Sequence, residues 1–235
     1  MNTQVQHLTS DEVKSIQASF INKVYMWMCG ALLITGFVAL RTISSESLMN
    51  TLFGGTSMMP FYVLIFAELG LVWWLSASIN KMSSGLATAL FILYSALNGL
   101  TLAVVFLLYT KASIASTFFV TAGTFGVMSA YGYFTKKDLT SWGNLLFMAL
   151  VGFIIASIVN IFLQSSFFYW LITYAGILIF VGLTAYDTQK IKKMSLGLDA
   201  NSEEGKKGAI MGALMLYLDF INLFLLLLRV LGNRR

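Results

Sequence analysis

Long apolar runs alternate with short polar stretches along most of the chain. Because an α-helix rises about 1.5 Å per residue, roughly 20 apolar residues cross the roughly 30 Å hydrocarbon core of a bilayer. Windows of about that length predict seven transmembrane helices, at 24–40, 59–79, 86–108, 113–134, 145–164, 168–186 and 209–231. The pattern therefore predicts an all-α integral membrane protein.

Turn-forming and charged residues separate the predicted helices. The weakest break is Gln164-Ser165-Ser166, which is uncharged, but the apolar stretch around it is long enough for two crossings. Only the break at 190–208 is long, and its Lys and Glu content predicts a solvated cytoplasmic loop. Residues 1–23 form a polar tail without the pattern of a cleavable signal, and 24–235 is predicted to be a single transmembrane domain.

Composition supports this class, with 58% hydrophobic residues, 11% charged residues and a mean hydropathy of +0.80. A water-soluble domain could not hide so much apolar surface. Cys29 is the only cysteine and His7, in the polar tail, the only histidine, which excludes an intramolecular disulfide, a His-based triad and an HExxH zinc site. One stripe of small residues, Ala122, Gly126 and Ala130, favours tight packing inside the bundle over dimerisation.

The net charge of +5 comes from Lys and Arg that mostly lie between the apolar runs, which indicates membrane topology and not nucleic-acid binding. Placing the N-terminus and the even-numbered connections on one side gives that side ten cations: Lys14, Lys23, Lys81, Lys136, Lys137, Lys190, Lys192, Lys193, Lys206 and Lys207. The other side keeps Arg41, Lys111, Arg234 and Arg235. The positive-inside rule then predicts a cytoplasmic N-terminus and a periplasmic C-terminus.

Four charged residues fall inside the apolar runs, namely Glu68, Asp187, Asp219 and Arg229. A central charge in hydrocarbon costs about 3 kcal/mol on insertion scales, so each needs an explanation. Asp219 lies near the middle of the last helix, and Asn222 and Arg229 fall within about 80° of it around the helix axis. This polar stripe is expected to face protein or water.

Plainer interpretations remain open for the other three charges. Asp187 ends the sixth run and could cap a helix at the interface, Glu68 could be a protonated side chain hydrogen-bonded inside the bundle, and Arg229 could snorkel outward. Asn98 and Asn160 are explained by interhelical hydrogen bonds.

At these residues the chain resembles the Bax inhibitor family. The carrying segments are Gly182-Leu183-Thr184-Ala185-Tyr186-Asp187-Thr188-Gln189-Lys190-Ile191, Leu216-Tyr217-Leu218-Asp219-Phe220-Ile221-Asn222-Leu223-Phe224 with Leu228-Arg229, Gly99-Leu100-Thr101-Leu102 and Lys136-Lys137-Asp138-Leu139. The short N-terminus is similar to that of inner-membrane members from Gram-negative bacteria. The resemblance implies a multi-pass inner-membrane protein whose last helix is surrounded by two layers of three helices.

The resemblance also implies a pH-sensitive calcium leak and not an enzyme. The aspartates of helices six and seven, here Asp187 and Asp219, would form a hydrogen-bonded pair that acts as pH sensor and gate and contacts calcium transiently. Calcium would be the permeant ion, with no tightly bound cofactor. Glu68 and Arg229 match charged positions of the family. The family also carries a basic residue near the end of helix two, and the nearest candidate for it in this chain is Lys81. An ammonium there loses bidentate pairing with a carboxylate, so the gate is expected to respond at a different pH.

Physical chemistry supports such a gate. Two carboxylates held together in a low-dielectric site share a proton and titrate as one unit. Full deprotonation adds repulsion and admits water or a cation between the helices, and calcium prefers oxygen ligands. A leak needs weak binding, which two or three carboxylates with water would give.

Two rival functions remain. Paired aspartates on adjacent helices suggest an intramembrane aspartyl protease, although the Gly-x-Gly-Asp element of that class is missing at Asp219. The second rival is a protein that modulates a membrane-bound protease or a stress response, as some bacterial relatives are thought to do. That role is compatible with a leak.

Overall fold

The computed structural model describes residues 10–54, 58–198 and 202–235, which form eight α-helices. They are α1 (Ser10–Ile43), α2 (Glu46–Phe53), α3 (Met59–Ser78), α4 (Ser84–Leu108), α5 (Lys111–Phe134), α6 (Thr140–Leu163), α7 (Ser166–Met194) and α8 (Glu203–Leu231). All except the short α2 are long and apolar enough to cross a membrane. The prediction of seven transmembrane helices is confirmed.

Hydroxyl side chains set the starts of several helices. Ser83, Thr110, Ser165 and Ser202 each accept a hydrogen bond from a backbone N–H in the first turn of the helix that follows. Such caps satisfy donors that have no partner within the helix. The weakest predicted break is a true turn, because Gln164 ends α6 in the left-handed conformation (φ 49°).

Helix α8 occupies the centre of the bundle and is the most buried of the seven long helices. It packs against α1 and α4 on one side and against α5 and α7 on the other. Helix α3 completes the first layer by packing on α4, and α6 completes the second by packing on α7. The central last helix between two layers of three is therefore confirmed.

The peripheral helices leave most of their surface to lipid. In α6 only Gly143 is buried, although this helix is apolar on all faces. A helix that is hydrophobic all round and unburied by protein suits a bilayer and not water.

Helix α1 begins well before the predicted boundary at residue 24. Residues 10–23 of the predicted polar tail are helical, with Phe20 and Ile21 buried in the core. Residues 1–9, including His7, lie outside the described residues. The predicted boundary thus falls inside one continuous helix.

Two other expectations need correction. The long loop predicted at 190–208 is mostly helical, because α7 runs to Met194 and α8 starts at Glu203. The small-residue stripe of α5 is not tightly packed: Gly126 and Ala130 are exposed and line a groove of about 430 Å³ between α1 and α5. The close approach of α5 to a neighbour occurs at Gly132 instead.

The chain terminus folds back on the connection between α4 and α5. The Arg235 N–H donates to the Leu108 carbonyl at 3.0 Å, and the Thr110 N–H donates to the Asn233 carbonyl at 3.2 Å. The C-terminus and the α4–α5 connection therefore share one end of the bundle. Which side of the membrane this end faces stays a prediction.

Candidate functional site

Asp187 of α7 and Asp219 of α8 lie where these two helices pack, close enough for their carboxyl groups to interact. Asp219 is only 4% exposed and Asp187 is half-buried. A carboxylate has no hydrogen to donate, so a hydrogen bond between these two groups would need one shared proton. The buried Oδ2 of Asp219 has no hydrogen-bond partner among the described residues.

Helix α5 fixes the α7 backbone on one side of Asp187. Gly132 lies so close to the Ala185 carbonyl that a Cβ atom at residue 132 would overlap it. The Thr188 hydroxyl donates to Ser129 Oγ at 3.3 Å. The residues just before and after Asp187 in α7 are therefore held by the same neighbouring helix.

Helix α6 and the connection before it hold the same segment from a second direction. The Tyr186 ring lies against Gly143, where any side chain would collide with it. Gln189 Oε1 accepts from the Leu139 N–H at 2.9 Å, and its Nε2 donates to the Lys137 carbonyl at 2.8 Å. These contacts give the Asp187 backbone little freedom to move without the α5–α6 connection.

Helix α8 is anchored on both sides of Asp219 as well. The Tyr217 hydroxyl lies 2.8 Å from Thr35 Oγ1 in α1, which donates to the Ser95 carbonyl of α4 at 2.9 Å. The Phe220 ring meets the Phe125 ring of α5 edge-on at 5.5 Å. Asp219 thus sits on the most firmly packed stretch of the bundle.

Lys190 stands three residues beyond Asp187 in α7, so the two side chains lie on the same face of the helix. Lys81 is exposed at the end of the 3-10 turn Ile79–Lys81. The ion pairs found in the described part of the chain are Lys14–Asp11 and Lys193–Asp138, so none joins Lys81 to Asp187. The place of Lys81 in the supporting charged network stays a prediction.

Glu68 belongs to a different part of the bundle. It is buried in α3, and its Oε2 accepts a hydrogen bond from Asn98 Nδ2 of α4 at 3.1 Å. Its Oε1 and the Asn98 Oδ1 are buried without partners among the described residues. Asn98 makes the interhelical hydrogen bond predicted for it, and Glu68 is not brought to the aspartate pair.

Arg229 also lies away from the pair, ten residues and thus about 15 Å along α8 from Asp219. Its guanidinium carbon sits 4.9 Å from the centre of the Tyr169 ring, and its Nη1 donates to Thr173 Oγ1 at 3.4 Å. Asn222 bonds its own helix, donating to the Leu218 carbonyl at 2.8 Å. The predicted polar stripe is therefore divided among separate local contacts.

Sequence reasoning missed the residues that support the pair, namely Gly132, Gly143, Gln189 and Lys190. Gln189 and Lys190 lie inside the segment that carries the family resemblance. Nothing else in the sequence pointed to a role for them. Nothing in the sequence pointed to Gly132 and Gly143, because the close approach of two helices at a glycine depends on which helices become neighbours.

Comparisons with known proteins agree with this architecture. The family model described as "Inhibitor of apoptosis-promoting Bax1" matches residues 17–235. The "Inner membrane protein YbhL" of Escherichia coli is 55% identical over 218 residues, covering 92% of each chain. An uncharacterized protein of Borreliella burgdorferi is 48% identical over 220 residues, or 94% of each chain, and one of Rickettsia prowazekii is 46% identical over 219 residues, or 92% of this chain and 90% of that protein. Together with the seven apolar helices, these matches show that the chain is a multi-pass inner membrane protein and belongs to the Bax inhibitor family.

Proposed function

We propose that this protein is a pH-sensitive calcium leak channel, not an enzyme, in which a proton shared by Asp187 and Asp219 controls the opening between α7 and α8. The contact between the two carboxyl groups carries the proposal. With the proton in place, the pair holds the two helices together. Its loss leaves two negative charges side by side, and their repulsion favours separation of the helices and entry of water or a cation.

The ligands at the site suit the passage of calcium better than its tight binding. Calcium takes six to eight oxygen ligands when firmly bound. In the described part of the chain no three His, Cys, Asp or Glu side chains gather into one group, so the pair offers calcium two carboxyl groups, with water supplying the rest. A weakly held ion can leave again, as conduction requires.

The two aspartates lie on the two helices that make the contacts between the centre of the bundle and the second layer. Asp219 is on the helix that contacts both layers, and Asp187 is on the helix that contacts α5, α6 and α8. A separation of α7 from α8 would therefore open the boundary between the central helix and the second layer. Glu68 and Arg229 lie apart from this boundary, Glu68 bonded to Asn98 and Arg229 stacked on Tyr169.

The test is calcium flux into liposomes containing the purified chain, measured across a pH series. We expect faster flux where the pair is deprotonated, and a changed pH dependence in Asp219→Asn and Asp187→Asn. Asp11→Asn is the matched control, because Asp11 is an exposed carboxylate in the first turn of α1. It should leave the profile unchanged.

Flux no greater than that of empty liposomes would refute the proposal. Substrate cleavage that either Asp→Asn change abolishes would favour an aspartyl protease instead. Co-purification with a membrane-bound protease, without flux, would favour a modulator.

A further inference from the structure

A cleft of about 940 Å³ opens between α6, α7 and α8, at the end of the bundle where the chain terminates. Arg229 and Arg234 enter it from α8 and the residues after it, Asn160 and Gln164 from the end of α6, and Ser166 from the start of α7. The aspartate pair is not part of its lining. The cleft is thus a second polar site in this membrane protein, distinct from the candidate gate.

Both arginines contact Tyr169, and Arg234 also lies over the Tyr109 ring, 5.9 Å from its centre. The Arg229 guanidinium stacks on the Tyr169 ring at 4.9 Å, while Arg234 Nη2 donates to the Tyr169 hydroxyl at 3.3 Å. Neither arginine forms an ion pair with a carboxylate of the described residues. Two positive charges therefore share one cleft without an anionic partner among the residues that the structure describes.

Other groups add to the positive character of the cleft. Helix α7 begins there, and the N-terminal end of a helix carries partial positive charge with N–H groups directed outward. Asn160 and Gln164 contribute side-chain amides. The combination favours an anionic ligand with several oxygen atoms.

The remaining walls of the cleft are apolar and continue onto the lipid-facing surface. Phe153 and Ile161 line it from α6, and Trp170 and Ile172 from α7. Ile161 is 68% exposed on a helix that is almost entirely unburied. A ligand with both a charged group and a hydrocarbon part fits this surface, and tryptophan and tyrosine are typical of the depth at which lipid headgroups lie.

We propose that the cleft binds an anionic phospholipid, with Arg229 and Arg234 contacting its phosphate and an acyl chain lying against Phe153 and Ile161. A guanidinium is planar and offers paired donors that match phosphate oxygens. A free phosphate ion would use the same arginines but would gain nothing from the apolar wall. This site is independent of whether the protein conducts calcium.

The test is native mass spectrometry of the full-length chain, delipidated in detergent and titrated with phosphatidylglycerol or with phosphatidylcholine of the same acyl chains. We expect one phosphatidylglycerol per chain, bound about tenfold more tightly than phosphatidylcholine, as one additional charge-assisted interaction would give. Arg234→Gln should weaken phosphatidylglycerol binding about threefold, which is half of the tenfold preference in free energy, and adding Arg229→Gln should remove the rest of the preference.

Arg41→Gln is the matched control, because Arg41 is an exposed arginine near the end of α1 and does not line the cleft. It should not change the affinity. Arg234 follows α8 and is exposed, so Arg234→Gln should fold, as a thermal unfolding curve would show, and it decides the question alone if Arg229→Gln does not fold. Equal affinity in Arg234→Gln and the unaltered chain would overturn the proposal, as would an equal loss in Arg41→Gln. Displacement of the lipid by millimolar inorganic phosphate would also overturn it, in favour of a small-anion site.

Discussion

Gln189 Oε1 accepts a hydrogen bond from the backbone N–H of Leu139 at 2.9 Å, only two residues beyond Asp187 in α7. The same side chain donates to the Lys137 carbonyl, so one amide group satisfies two backbone groups of the α5–α6 connection. Movement of α7 at the candidate gate would have to break these bonds or carry the connection with it.

Replacement of Gln189 by alanine should destabilise the protein. Gln189 and Leu139 are buried, and a buried donor left without a partner costs about 1–3 kcal/mol. We expect the free energy of unfolding in detergent to fall by about this amount. Gln189→Glu keeps the acceptor for Leu139 but places a carboxylate oxygen against the Lys137 carbonyl, so it should also lower the free energy of unfolding. An unchanged unfolding curve for Gln189→Ala would show that these hydrogen bonds contribute nothing.

Gly132→Ala and Gly126→Ala should differ sharply although they lie on the same helix. A Cβ at residue 132 overlaps the Ala185 backbone, whereas a Cβ at residue 126 has nothing within 4 Å. Overpacking of a close contact costs about 1–3 kcal/mol, so Gly132→Ala should lower the unfolding temperature while Gly126→Ala leaves it unchanged or raises it. Equal effects of the two substitutions would contradict the close approach of α5 to α7.

Asp138, outside the membrane-spanning helices, gives a pH dependence of stability with a definite sign. Hydrogen bonds from Lys193 and from Thr140 lower the pKa of Asp138 from 3.8 to about 2. Since this pKa is lower in the folded than in the unfolded chain, the stabilisation is complete above pH 3.8 and is lost as the pH falls towards 2. Carboxyl titration by NMR should report the low pKa, and Lys193→Gln should raise it. Asp138→Asn should lose less stability than the unaltered chain as the pH falls from 3.8 towards 2. The same dependence of stability on pH in both proteins would disprove the role of Asp138.

The start of α8 is clamped to α4 by one carboxylate. Glu203 Oε1 accepts from the Ser84 N–H at 2.5 Å and Oε2 from the Ser84 hydroxyl at 2.8 Å. Glu203→Gln should therefore speed amide hydrogen exchange in the first turns of both helices. Glu204→Gln is the control, because this exposed neighbour carries the same charge one residue later. Similar exchange in the two variants would rule out a specific clamp.

Glu68 and Asn98 should be energetically coupled. Their side chains form a hydrogen bond between α3 and α4, and such bonds between transmembrane helices contribute about 0.6 kcal/mol on average and up to about 1.7 kcal/mol. A double-mutant cycle of unfolding free energies with Glu68→Leu and Asn98→Leu should give a coupling in this range. A coupling of zero would mean that each residue acts alone.

The seven spans could be predicted because lipid imposes one simple demand, about twenty apolar residues for each crossing. The same signal fails at helix ends that extend into water. Residues 10–23 look polar, yet α1 includes them and buries Phe20. Hydropathy alone also could not place α8 at the centre, since α6 is similarly apolar and almost unburied. That placement came from the family resemblance.

The candidate pair was predictable for a related reason. A carboxylate in hydrocarbon is costly, so Asp187 and Asp219 stood out individually, and the resemblance implied that they meet. Glu68 and Arg229 stood out for the same reason, and each has a partner on a neighbouring helix, Asn98 for Glu68 and Tyr169 for Arg229.

The central position of α8 has a consequence for how the protein is assembled. Helix α8 follows the six other long helices in the chain, so they are synthesised and inserted before the helix around which they pack. Until it arrives, the two layers must be held by their own lateral contacts, α1 with α4 and α5 with α7. Asp219 would then enter the bilayer after Asp187, and it would insert between helices that are already in place.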